Sequence, residues 1–289
     1  MSDYFAASVA AFESTPLFWY FTIAIVGACF GSFINVVVAR LPVMLDNEWN
    51  LAAAEQLGQT APKSAPLTLS KPASTCPQCN SRIRPRHNIP VLGWLVLRGR
   101  CADCNNPISS RYPLVELLAA VLACLAAVQF GVSVAAIAAA GFLLCLLCIA
   151  LIDADTQLIP DTIALPLLWA GLLLNINGLF VPLSDAVIGA TAGYGVLWLC
   201  FQGFKWVTGK EGMGYGDFKL LAAMGAWLGW EALPLLLLIA SLAGAIVGIT
   251  LRMTNRLAAQ QPMPFGPWLA MAGAIFMLWG TTLTDWWLG

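Results

Sequence analysis

The chain has 289 residues, 60% of them hydrophobic and only 10% charged, with a mean hydropathy of +0.79, far from the roughly 25% charged residues of soluble domains, so it belongs in a bilayer. Its net charge is -1 and its pI about 5.8, which excludes a global basic field for collecting nucleic acid. Asp3 and Glu13 are the charges of the first sixteen residues, which contain no Lys or Arg; a cleaved signal peptide needs a basic start, so this segment is expected to be retained.

A spanning helix needs about 20 apolar residues, and in lipid it must satisfy its own backbone hydrogen bonds. The first such run covers about 17 to 39 and is expected to end at Arg40. A polar stretch from 40 to 112 follows, in which residues 50 to 75, rich in Ala, Pro and Ser, read as a linker. Beyond it, Cys76-Pro-Gln-Cys79 and Cys101-Ala-Asp-Cys104 form two C-x-x-C knuckles separated by 21 residues. Four thiolates suit tetrahedral zinc, and four cysteine ligands leave no open position, so the site is expected to be structural and to fold the segment around it. The alternative, a pair of disulfides or free thiols, is disfavoured on the disulfide side in a reducing compartment. His87, the single histidine, is not needed as a ligand and reads as a structural or solvated residue. Ile89-Pro90-Val91-Leu92-Gly93-Trp94-Leu95, between the knuckles, reads as the segment's small core or as a patch dipping into the membrane. Cys29, Cys124, Cys145, Cys148 and Cys200 lie in apolar runs, where they pack as small hydrophobes.

The next apolar runs, about 113 to 152, 162 to 204 and 218 to 251, are each too long for one crossing and are interrupted once, at Gln129-Phe130-Gly131, at Asn175 to Pro182 and at Glu231 to Pro234. Each reads as a helical hairpin. A last crossing occupies about 267 to 287. The fold expected is therefore all-α and polytopic, with about eight transmembrane helices and a cytoplasmic zinc-binding loop domain between helices 1 and 2. Its parts are 1–39, the N-terminal segment and first helix; 40–112, the loop domain; and 113–289, a seven-helix membrane domain.

Charge placement supports that count, because Lys and Arg in short loops accumulate on the cytoplasmic side. Nine of the fourteen lie between Arg40 and Arg111; Lys205, Lys210, Lys219, Arg252 and Arg256 are the rest. With eight crossings and both termini outside, all fourteen share one face.

Carboxylates at membrane depth are costly, so a functional role starts with a raised prior there. One cluster runs Leu151-Ile152-Asp153-Ala154-Asp155-Thr156-Gln157-Leu158-Ile159-Pro160-Asp161, a helix end followed by a turn. The other is Gly212-Met213-Gly214-Tyr215-Gly216-Asp217-Phe218-Lys219, whose glycines permit close backbone approach. If one Asp from each cluster meets the other, two negative charges cannot easily coexist and the pair shares a proton, which suits peptide hydrolysis without a covalent intermediate. Two other readings stay open: a magnesium site for a lipid diphosphate, since clustered aspartates also hold hard cations, and a proton-coupled transporter, which would call for internal repeats that the sequence does not display. Asp155 and Asp161 are equally suited to capping helices, Asp161 at the start of the one after Pro160. Glu116, one turn into a membrane helix, is a further candidate for a buried pair or a site. Serine or cysteine nucleophile chemistry has no histidine near it in the sequence.

Gly31-Ser32-Phe33-Ile34-Asn35-Val36, the two knuckles, Ser110-Arg111-Tyr112-Pro113-Leu114-Val115-Glu116, the Asp153 to Asp161 stretch and Gly214-Tyr215-Gly216-Asp217, in that order along nearly the whole chain, resemble the bacterial type IV prepilin peptidase family, membrane aspartic proteases of the G-x-G-D type. The resemblance implies Asp153 and Asp217 as the catalytic pair and selects Asp153 over Asp155, which spacing alone does not. It implies an enzyme of the bacterial inner membrane that cuts prepilins and type II secretion pseudopilins on the cytoplasmic side. Relatives with the long cysteine loop also N-methylate the new amino terminus with S-adenosylmethionine, and this chain keeps that loop, including Leu97-Arg98-Gly99-Arg100. No G-x-G-x-x-G marks where the methyl donor binds, and no nucleic-acid partner is expected.

Overall fold

A computed structural model describes residues 12, 14–59, 67–210, 213–254 and 263–288; Asp3, Glu13, residues 60–66 of the stretch read as a linker, Gly212 and Arg256, all singled out above, lie outside them. The described residues are helical, with no strand beyond two isolated bridges, Thr75 with Arg82 and Arg100 with Pro107. In chain order the helices are α1 (Pro16–Gln56), α2 (Leu92–Val96), α3 (Arg111–Phe130), α4 (Val134–Thr156), α5 (Asp161–Leu174), α6 (Leu183–Thr208), α7 (Tyr215–Leu228), α8 (Leu233–Met253) and α9 (Gly266–Leu288). Every apolar run read from the sequence is helical. Five of these helices, α1, α3, α4, α6 and α8, are long and apolar enough to cross a membrane, while α5 and α9 carry shorter apolar stretches. The chain is thus an all-helical, multi-pass membrane protein.

The breaks in the three long apolar runs fall where helix-stopping residues stand, the last of them from Gly229, ahead of the Glu231 to Pro234 read from the sequence, since Leu233 and Pro234 already begin α8. Gly131 and Gly229, both at positive φ, close α3 and α7, and a single 3-10 turn at Asn175–Asn177 with left-handed Gly178 closes α5. Asn175, fully buried, serves that third break. Its Nδ2 donates to the Ala226 carbonyl at 2.9 Å, and its Oδ1 accepts the N–H groups of Phe180 and Val181.

Two expectations need correction. The first helix does not end at Arg40 but runs 41 residues through Pro42 to Gln56, because Met44, Leu45, Leu51, Ala52, Ala53, Ala54 and Glu55 are strong helix formers and an internal proline removes only local hydrogen bonding. Residues 50 to 56 are therefore helix and not linker. At 1.5 Å per residue α1 is about 60 Å long, twice a hydrocarbon core of about 30 Å, so much of it stands in water. Arg40 ties the returning chain to it, its Nη1 donating to the Thr68 carbonyl at 2.9 Å.

The chain divides into two compact units, Met1–Ala140 and Gly141–Gly289. In the first, α1 lies against α3 through small residues: a Cβ on Gly27 would meet Ala123 Cβ at 2.9 Å, and one on Gly31 would meet Glu116 Cα at 2.7 Å. Close backbone approach of this kind is how helices associate in lipid, where burying apolar surface gives little drive. In the second unit α7 is the hub, packed by α5, α6 and α9. Phe218, Leu220 and every residue from Leu221 to Trp227 are buried, so this helix of 14 residues, about 21 Å, is enclosed by protein. Gly189 of α6 and Gly225 of α7 meet backbone to backbone, and Trp227 Nε1 donates to the Leu167 carbonyl at 2.7 Å.

Candidate active site and metal centre

In the second unit, Asp153 stands in the last turn of α4, which stops at Gln157, held at φ +56. Asp217 stands in the first turn of α7. Both carboxylates are buried, Asp153 at 5% and Asp217 at 8% exposure, and the charge of Asp153 acts on Asp217. Two close approaches assemble the pair. A Cβ on Gly216 would lie 2.7 Å from Ile159 Cβ, so only a glycine lets the start of α7 reach the turn that follows Asp153. Ile159 then touches the start of α9 as well, where a Cβ on Gly266 would meet its Cδ1 at 3.1 Å and Asp153 Oδ2 at 2.6 Å.

The Gly266 N–H donates to Asp153 Oδ2 at 2.9 Å. That N–H is one of the unsatisfied donors at a helix start, where the helix dipole also favours negative charge, and Asp217 sits at the start of α7 in a similar field. Asp217 Oδ1 is buried and has no hydrogen-bond partner among the described residues. A buried carboxylate oxygen normally has a partner, so an oxygen left open beside a second carboxylate is fitted to bind a reacting molecule.

The other acids separate by direction and partner. Asp155, two residues along α4, is exposed. Asp161 opens α5, and both its oxygens accept from Lys219 Nζ at 2.7 Å. Among the described residues these acids do not converge with Asp153 and Asp217 into a metal-holding group. Sequence reasoning missed Gly266, starting the last helix one residue later; a glycine between Phe265 and Pro267, with Pro264 just before, was the available signal for a helix start.

In the first unit, the sulfur atoms of Cys76, Cys79, Cys101 and Cys104 all lie within 4.8 Å of one another, with Cys76 to Cys104 at 3.8 Å and Cys79 to Cys101 at 4.0 Å. Four sulfurs about 2.3 Å from a tetrahedral metal would be roughly 3.8 Å apart, so the cluster fits a four-thiolate ion such as zinc. The knuckles share one design that the C-x-x-C spacing alone does not reveal. Asn80 and Asn105 each follow the second cysteine, adopt φ +57 and donate their N–H to the carbonyl of the first, Cys76 and Cys101. Hydrogen bonds from the Ser81 hydroxyl and backbone bring Cys79 down to about 6, and the backbone N–H groups of Cys104 and Asp103 lower Cys101. At Cys104 the Asn106 N–H favours the thiolate, yet burial and the three neighbouring cysteines push it up to about 12. Four thiolates this close repel one another, and a divalent cation removes that repulsion. His87 is not part of the cluster.

Beside the knuckles, Glu116 is buried at 8% in the second turn of α3, and its Oε2 accepts the Val91 N–H at 2.7 Å. Asn35 of α1 donates to the Tyr112 carbonyl at 3.1 Å, fastening the start of α3.

Comparison with known proteins gives consistent matches along the chain. Residues 25–130 match the bacterial peptidase A24 N-terminal domain, and residues 140–249 match the type IV leader peptidase family. A prepilin leader peptidase/N-methyltransferase of Aeromonas hydrophila is 50% identical over 278 residues, covering 94% of this chain and 95% of its own length. The protein of the same description from Pseudomonas putida is 50% identical over 265 residues, 92% of each chain. That from Pseudomonas aeruginosa is 49% identical over 272 residues, 94% of each. No solved structure matches the chain.

Proposed function

The chain belongs to the type IV leader peptidase family, and on that footing we propose that it removes the leader peptide of type IV prepilins and type II secretion pseudopilins through Asp153 and Asp217, then methylates the new amino terminus with S-adenosylmethionine. One observation carries the proteolytic half. Two buried carboxylates, 64 positions apart in the chain, stand one in the last turn of α4 and one in the first turn of α7, the charge of Asp153 acts on Asp217, and Asp217 keeps an oxygen without a partner among the described residues. A pair that shares one proton can act on a peptide and a water together: the ionised member takes a proton from the water, and the protonated member donates to the scissile carbonyl. Gly266 and Ile159 support that reading, since one holds Asp153 Oδ2 and the other lies against the start of α7, and fixed positions of this kind are what an oriented reaction needs.

The magnesium reading loses its support, since Asp155 is exposed and Asp161 is committed to Lys219. Zinc held by Cys76, Cys79, Cys101 and Cys104 would order the segment after α1, a structural role consistent with four thiolates and no open coordination position. Segregation of Lys and Arg favours eight crossings in the inner membrane, with the cysteine segment, Asp153 and Asp217 facing the cytoplasm. The functional parts are then 1–39, the first membrane segment; 40–112, the metal-binding segment, including the aqueous end of α1; and 113–289, the protease.

The test is incubation of the purified protein with a prepilin, with and without S-adenosylmethionine, and mass measurement of the product. Leader loss in both arms and one added methyl only with the donor are expected. Asp153→Asn and Asp217→Asn should each abolish leader removal in a protein that still folds in membranes, and cleavage retained by either would overturn the dyad.

A further inference from the structure

Among the described residues three carboxylates are buried: Asp153, Asp217 and Glu116. The first two form the pair in one unit, and Glu116 lies in the other, Met1–Ala140, on α3. We propose that Glu116 is the general base of the methyl transfer, holding the α-ammonium of the newly exposed amino terminus and accepting its proton. This rests on the methyltransferase half of the function proposed above.

A carboxylate inside a membrane helix is retained against a desolvation cost, and structural examples are paired with a cation. No lysine or arginine pairs with Glu116 among the described residues. Its Oε2 is fixed by the Val91 N–H at 2.7 Å, while Oε1 has no hydrogen-bond partner among them, so one oxygen is anchored and the other is available. The missing positive partner is what a freshly cut peptide supplies, a primary ammonium at the head of an apolar helix. The depth agrees. Glu116 is the sixth residue of α3, a helix of 20 residues apolar enough to span the bilayer, so it sits roughly one and a half turns in from the end where a membrane helix and its cut terminus meet water.

The surroundings hold this carboxylate in place. Gly31 brings α1 against the Glu116 backbone, where a Cβ would lie 2.7 Å from its Cα. Val91 is forced to φ +59, an uncommon conformation for a β-branched residue, so that its N–H points at Oε2. Backbone strain at such a position is kept where the surrounding structure depends on it. The same contact joins the membrane helix to the segment between the two knuckles, so metal binding there and the setting of Glu116 are mechanically linked.

The chemistry balances with a sulfonium methyl donor as the co-reactant. The ammonium gives one proton to the Glu116 carboxylate and becomes a neutral amine. The amine lone pair forms a bond to the methyl carbon, the carbon–sulfur bond breaks with its electron pair going to sulfur, and the donor leaves as a neutral thioether. The product is a secondary ammonium, and Glu116 releases its proton to water.

The experiment uses the full-length protein, a prepilin for leader removal, and a synthetic peptide that already begins with the cleaved terminus for methylation, so that the two reactions are read apart. Glu116→Gln keeps an oxygen to accept the Val91 N–H but cannot take a proton. It should cleave at a rate within about twofold of wild type while methylation of the peptide falls about a hundredfold or more, the scale of a lost general base. Methylation at the wild-type rate by Glu116→Gln would reduce Glu116 to a tether and overturn the proposal. If Glu116→Gln loses leader removal as well, Glu116→Asp decides: restored methylation, with a pH profile displaced from that of wild type, supports the role, and its failure in a protein that cleaves overturns it. Absence of methylation by wild type itself would instead refute the underlying function.

Discussion

Replacing Gly266 with alanine puts a single methyl group against the carboxylate that Gly266 holds. Its Cβ would sit 2.6 Å from Asp153 Oδ2 and 3.0 Å from Cγ, whereas carbon and oxygen ordinarily approach no nearer than about 3.3 Å, so helix and carboxylate must separate by roughly 0.7 Å. The hydrogen bond from the Gly266 N–H, now 2.9 Å, would stretch to about 3.6 Å and cease to be one. A hydrogen bond to a charged group contributes about 1.5–3 kcal/mol, and each 1.4 kcal/mol is about tenfold in rate, so its loss predicts a fall in kcat of about 10- to 150-fold. Displacement of a catalytic group by about 1 Å independently costs about a hundredfold. The assay is leader removal from a saturating prepilin, followed by mass measurement, with zinc content and methylation of a pre-cleaved peptide as checks that the rest of the protein is intact. Wild-type kcat in Gly266→Ala would refute the claim that the start of α9 positions Asp153.

Cys76→Ser should lower bound zinc, measured by mass spectrometry of the native protein, and loosen the segment between the knuckles to protease; unchanged zinc content would show that the ligand set is wrong. Asn175→Ala should cost about 1–3 kcal/mol, because it removes the bonds that a buried amide makes to the part-buried Phe180 and Val181 N–H groups and to the Ala226 carbonyl, read as a lower unfolding midpoint in detergent. Lys219→Gln should change stability by less than about 1 kcal/mol, since its pair with Asp161 is partly exposed, at 29% and 52% of the two side chains. A much larger loss, or a loss of leader removal, would assign Lys219 a part in the site next to Asp217.

Features that depend on neighbours along the chain are legible in the sequence. Apolar runs mark helices with breaks near Gly131, within Asn175 to Pro182 and close to Glu231, because 20-residue hydrophobicity and helix-stopping residues act locally; that α7 stops at Gly229, ahead of the Glu231 to Pro234 read from the sequence, came from the structure. The two C-x-x-C pairs announce a four-cysteine cluster that could hold a metal, since each knuckle is a tight turn and the spacer only has to return. Likeness to a known family singles out Asp153 and Asp217. Contacts between distant residues are decided by packing. Asp153 and Asp155 are two positions apart on one helix, and only the arrangement of α7 and α9 makes the first buried and leaves the second exposed. Gly266 is 113 positions from Asp153, with no periodicity to link them. The continuation of α1 beyond Arg40 turned on helix formers outweighing one proline, and the enclosure of a helix as short as α7 turned on glycines of α6 that admit it. Sequence by itself determined which segments form apolar helices and which residue types are available for chemistry. Tertiary structure decided which of those residues lose water together, because burial is a property of what packs around a side chain and not of the side chain itself.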